Sequence, residues 1–353
     1  MIDKFKLTFS GLSSRVLYSI CLSLFLLLGC TTNDHNVSNL SKNHHELVQN
    51  PLFEFGADPW IILHQDTFYY CYSLQDRIGI KWAATIDQLK HAEEEIIWVA
   101  PTNTMYSKEI WAPELHFLDG NWYVYFAADD GDNLNHRMHM ISSESPSITS
   151  EFKYLGKITD QTDRWAIDGT ILHYRDKQYF VWSGWEGDIN VQQNLYIALM
   201  DGPLKIQSER TLISFPEYDW EKMGSGDGLP TINEGPQILE NDGKVFVIYS
   251  ASGSWSDHYC LGALELVGED PLSTTSWKKY PNPVFFGNDC VLSPGHASFI
   301  KIREQDFIVF HHIKFAGGGW QNRQIKIQPF YWERDRPIFG APVQDRSIVR
   351  IDY

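Results

Sequence analysis

Three carboxylates each precede a short apolar run: Asp58 in GADPW, Asp168 in AIDGT and Glu234 in NEGP. A carboxylate beside an apolar strand is costly to bury unless it faces a polar cavity. Singly, each has an ordinary reading, since Asp-Pro and Asp-Gly are turn dipeptides and a Glu can simply open a strand. At matching places of a repeated pattern, they describe convergence on one cavity. Converging carboxylates suit acid–base cleavage of a glycosidic bond, in which an ionised group activates water and a protonated one expels the leaving group. In the inverting version of that reaction the two stand roughly 6.5–9.5 Å apart. Glu has the longer reach and the higher reference pKa, which makes Glu234 the natural acid. A neighbouring Asp168 anion is expected to raise it further.

The elements that must position these groups follow from the repeat. From residue 51 onward, a polar anchor, a short apolar strand, a turn and an aromatic strand recur five times. The anchors are Asp58, Ala112, Asp168, Glu234 and His296, and Asp-Gly hairpin signals stand at 119–120 and 242–243. A strand unit recurring at roughly 40–60 residues is the signature of a propeller blade. The expected fold is therefore all-β, a five-bladed β-propeller, whose inner strands bring corresponding residues to one end of the axis. A two-sheet sandwich has no reason to repeat such a unit five times.

Charge and composition narrow the function classes. The 353 residues carry a net charge of −16 with no basic cluster, so there is no electrostatic footprint for nucleic acid. The aromatic content, 14%, suits packed strands and sugar-stacking surfaces. Lys4, Lys6 and Arg15 precede the apolar run 16–28, which ends in Leu27-Leu28-Gly29-Cys30 and resembles a bacterial lipobox. The expected organisation is a lipoprotein signal peptide over 1–29, a lipid-anchored polar tether over 30–50 with Cys30 as the lipidated residue, and one domain over 51–353. This places the protein at the bacterial cell envelope, meeting the membrane only through its N-terminal lipid. Cys71, Cys260 and Cys290 remain, an odd number without metal-like spacing; Cys71 and Cys260, in strand-like runs, are expected as buried free thiols, with one disulfide as the alternative.

The ordered set GADPW, WAPELHFLDGNWYVYFAA, AIDGT, NEGP and GHASF resembles glycoside hydrolase family 43, over about Phe53 to Val343. The resemblance implies a five-bladed propeller and an inverting mechanism, with Asp58 as general base, Glu234 as general acid and Asp168 orienting and tuning the acid. It implies sugar contacts from Trp111 and Glu114 in the WAPE segment and from Arg323 in WQNRQ, with a core tryptophan as the alternative for Trp111 and a solvent-exposed charge for Arg323. Trp60, Trp185 and Trp255 are candidates for stacking on sugar, with a core role as the alternative for each. No cofactor is required for the chemistry; His296 matches a position that faces an axial calcium in arabinanase relatives, against a plain hydrogen-bonding role. TMYSKEIWAPELHF, FAADDGDNLNHRM and TDRWAIDGT look closest to exo-acting α-L-arabinofuranosidases, which implies an arabinose-containing oligosaccharide or polysaccharide as substrate. β-Xylosidase, endo-arabinanase, galactofuranosidase and a non-catalytic sugar-binding propeller stay open. His311-His312, ending FIVFHH, is assigned no role.

Overall fold

The computed structural model describes residues 45–353 apart from Asp227. The expected signal peptide, Cys30 and the first part of the tether lie outside the described residues. Five antiparallel blades follow one another, each beginning with its innermost strand: Trp60–His64, Lys108–Leu118, Ala166–Tyr174, Thr231–Asn241 and Leu292–Ile302. The expected five-bladed propeller is what the chain forms. Blades 3 and 4 are stitched together by a short parallel pairing, Gln192 with Thr231 and Gln193 with Ile232.

Local sequence explains the units. In the first four blades the hairpin after the inner strand is a two-residue turn with both central residues at positive φ: Gln65-Asp66, Asp119-Gly120, Arg175-Asp176 and Asp242-Gly243. That backbone matches the right-handed twist of the flanking strands. Only two of these turns use the Asp-Gly signal; the others reach the same conformation without glycine. Alternation then buries one face of each blade against the next, so the apolar interior is five separate inter-blade cores. Trp122, Val124 and Phe126 pack against Ile78 and Ile80 between blades 1 and 2. Phe246 and Ile248 pack against Ile308 and Phe310 between blades 4 and 5. Cys71 and Cys260 are free thiols within such cores, and Cys290 is free and exposed.

The expected boundary at residue 51 needs correction. His45–Gln49 pairs antiparallel with Ile348–Asp352, a two-stranded clasp at the seam of blades 5 and 1. Val48, Val349 and Ile351 join the core there with Ile302, Phe307 and Ile327. The buried Asn50 side chain accepts from Ile327 N at 2.9 Å and donates to Ile327 O at 2.8 Å. Residues 45–50 are polar and read as tether, but Val48 turns into the core while the backbone pairs with a strand some 300 positions away. Such pairing leaves no local mark.

Candidate active site

Each inner strand begins with a kink. Asp58, Ala112, Asp168, Gly235 and His296 all lie in the left-handed region, with φ of 48, 42, 54, 55 and 42°. In blades 2 to 5 the inner strand's pairing shifts at this point, as a β-bulge does. The equivalent position in blade 4 is therefore Gly235, not Glu234, which stands one residue earlier, at the register position that Trp111 holds in blade 2 and Gly295 in blade 5. Gly235 suits this place: a Cβ there would come 3.1 Å from His296 Nδ1 while holding positive φ. Non-glycine residues held at such φ are strained, and here they cluster around one cavity.

That cavity is a cleft of about 1180 Å³ whose walls include Asp58, Asp168, Glu234, Trp111, His296 and Arg323. Asp58 Oδ1 lies 3.2 Å from His296 Nδ1, 3.3 Å from His311 Nδ1 and 3.5 Å from Arg323 Nη1. Its backbone N–H donates to His311 Nδ1 at 3.0 Å. Burial works to raise the Asp58 carboxyl, but the Arg323 charge, joined by His296 and His311 when these are protonated, holds it well below the usual carboxylate range. Burial pushes both imidazoles down, His311 to about 3, so the guanidinium is the permanent cation of the group. Arg323 is itself fixed by donating to Ser254 O at 2.9 Å.

Glu234 sits in different company. Its Oε1 accepts from Tyr259 O–H at 2.8 Å. Burial raises its carboxyl to about 7; Tyr259 pulls it down, Asp58 pushes it up, and Arg323 and Ser254 oppose. Burial, ahead of any Asp168 anion, is thus the main cause, which corrects the expected one. Asp168 is also raised, by burial first and then by Glu234 and Asp58, while its Oδ2 accepts from Gly235 N at 3.0 Å. One cleft therefore holds an ionised carboxylate and a pair of buried carboxyls that keep protons to higher pH.

The remaining candidates divide. Trp111 forms cleft wall, its ring stacked on buried His136 at 3.9 Å. Trp255 is also wall, edge-on to Trp320. Glu114 does not reach the wall: it lies buried beneath it, 3.1 Å from His116 Nε2 and hydrogen-bonded to Gln237 Nε2 across the axis. Trp60 does not reach it either; its indole N–H donates to Leu115 O at 2.7 Å and its ring packs on His116. Both were misplaced for one reason. Two residues beyond the kink, the strand already points into the layer below the cleft. Trp185 is buried and stacks on Trp165, which is wall in its place.

Among the described residues no group of three or more His, Cys, Asp or Glu is arranged to hold a metal ion. His296 turns Nδ1 to Asp58, and a carboxylate behind one ring nitrogen is compatible with ligation through the other. Sequence reasoning missed His311 and Tyr259. Their signals were a histidine ending a strand and a tyrosine opening one, neither distinctive without the fold.

Comparison with known proteins adds independent findings. The family described as Glycosyl hydrolases family 43 matches residues 48–337. An extracellular exo-alpha-(1->5)-L-arabinofuranosidase of Streptomyces avermitilis is 33% identical over 93% of this chain and 70% of its own length. A protein of the same description from Streptomyces chartreusis is 33% identical over 74% of this chain and 81% of its own. The crystal structure of an alpha-L-arabinofuranosidase from Lactobacillus brevis superposes with a TM-score of 0.78 at 34% identity, covering 85% of this chain and 98% of that one.

Proposed function

The chain belongs to glycosyl hydrolases family 43, and from that premise we propose that this glycoside hydrolase is an inverting, exo-acting α-L-arabinofuranosidase. The observation that carries the mechanism is the opposite setting of two carboxyls in one cleft. Asp58, kept ionised beside Arg323, takes a proton from the attacking water as general base. Glu234, kept protonated by burial, delivers its proton to the leaving oxygen as general acid. Asp168, bound to Gly235 N, holds the backbone next to the acid. The arabinose-containing substrate is supported by the relatives' descriptions, which name exo-acting arabinofuranosidases.

The deciding measurement is the product anomer, followed by NMR during hydrolysis of an arabinan oligosaccharide, beside a panel of aryl α-L-arabinofuranosides, β-xylosides and galactofuranosides. Inversion at a terminal arabinofuranosyl unit is expected. Retention would remove the base assignment, preference for another glycoside would replace the substrate, and binding without turnover would favour a lectin. The activity profile should fall on its alkaline side near pH 7, where Glu234 gives up its proton.

The lipobox supports export as a lipoprotein acylated on Cys30, with residues 31–44 joining lipid to domain. Mass spectrometry of the N-terminal peptide tests this, and Cys30→Ala should release the enzyme from membranes.

A further inference from the structure

Behind Glu234 lies a second carboxylate that the chemistry above does not use. Glu221 is wholly buried, in a short 3-10 turn at Asp219–Glu221. Its Oε2 accepts from Glu217 N and Tyr218 N, both at 2.8 Å. Its Oε1 accepts from Asn233 Nδ2 at 3.0 Å and Tyr249 O–H at 2.9 Å, and lies 2.6 Å from Lys279 Nζ. Five donors on one buried carboxylate exceed what fixing a surface turn requires.

The connections lead to both sides of the acid. Asn233 immediately precedes Glu234, and its own carbonyls are held by Ser183 and Ser214 hydroxyls at 2.9 and 2.7 Å. In the other direction, the turn is riveted to the loop after the second strand of blade 4. Ser252 N donates to Glu221 O at 3.1 Å and Gly253 N to Met223 O at 2.8 Å, while Trp255 Nε1 donates to Gly224 O at 2.9 Å. That loop carries Ser254, which contacts Arg323, and Trp255, which is cleft wall.

We propose that Glu221 is a positioning residue: it locks the strand bearing Glu234 to the Ser252–Trp255 loop, and so fixes the acid against the leaving-group side of the cleft. The proposal rests on Glu234 being the acid. A displaced acid matters most when the leaving group is poor, because a sugar alkoxide needs its proton and a nitrophenolate scarcely does. Loss of folded enzyme, by contrast, lowers every substrate alike.

The test compares kcat/KM on an arabinan oligosaccharide and on 4-nitrophenyl α-L-arabinofuranoside for Glu221→Gln, Asn233→Ala and Glu234→Gln, with the core variant Ile248→Val as a comparator for lost stability. Glu221→Gln and Asn233→Ala should lose at least about tenfold more on the oligosaccharide than on the aryl glycoside, a fraction of the acid's own contribution. Ile248→Val should show no such split. Equal losses on both substrates for Asn233→Ala, which keeps the buried Glu221–Lys279 pair and should fold even where Glu221→Gln does not, would overturn the proposal. If Glu234→Gln itself shows no split, the acid assignment fails instead, and with it the premise.

Discussion

Asp58 and Glu234 are carboxyl groups in the same cleft, yet their surroundings are built oppositely. Around Asp58, blade 5 supplies a guanidinium and two imidazoles. Around Glu234, blade 4 supplies the Tyr259 and Ser254 hydroxyls and burial. Burial penalises an anion at both; the close Arg323 charge overcomes that penalty at Asp58, and at Glu234 the penalty prevails. Protonation state in this cleft is assigned by neighbours rather than by whether the residue is Asp or Glu.

Erasing either group is the severest challenge to that contrast. Asp58→Asn and Glu234→Gln should each lower kcat on an oligosaccharide by about 10²–10⁴-fold. Parental turnover in both variants would falsify the contrast as a catalytic one. Arg323→Met attacks the Asp58 side alone. It should cost on the order of 10²-fold in kcat/KM and move the acid limb of the pH profile upward, since the cation favouring ionised Asp58 is gone. An unmoved acid limb would show that the imidazoles suffice.

Stability reads the Glu234 side. Its folded-state carboxyl is raised from 4.5 to about 7, so its favourable contribution is complete below pH 4.5 and is lost as pH rises through about 7. Glu234→Gln should therefore stabilise the fold by up to about 3 kcal/mol at pH 8 and by nearly nothing at pH 4, measured by urea unfolding at both. A pH-independent difference would contradict the buried, protonated setting. The smallest expected effect is Tyr259→Phe. Removing the donor that favours the Glu234 anion should lift the alkaline limb of kcat/KM by less than about one pH unit, with activity at pH 7 changed only a few-fold.

Much of this architecture is legible in the letters. The five anchors are visible because a kink, a short apolar strand and a two-residue turn are local events, written within about twenty residues. The reading slipped by one residue in blade 4, where Glu234 was aligned with a position that Gly235 occupies. It also slipped for Trp60 and Glu114, whose types suggest sugar contacts but whose places, two residues past the kink, lie beneath the cleft. The clasp formed by residues 45–49 escaped because its partner strand is the last in the chain.

The sequence by itself determined the blades, their number and which carboxylates stand at the head of inner strands, because hydrophobic alternation and turn chemistry act between near neighbours. Folding decided what each carboxylate is. Asp58 meets His311 across 253 positions, and Gly235 meets Asp168 across 67. A proton's affinity depends on charge, donors and water within a few ångströms in space, and only ring closure brings those together.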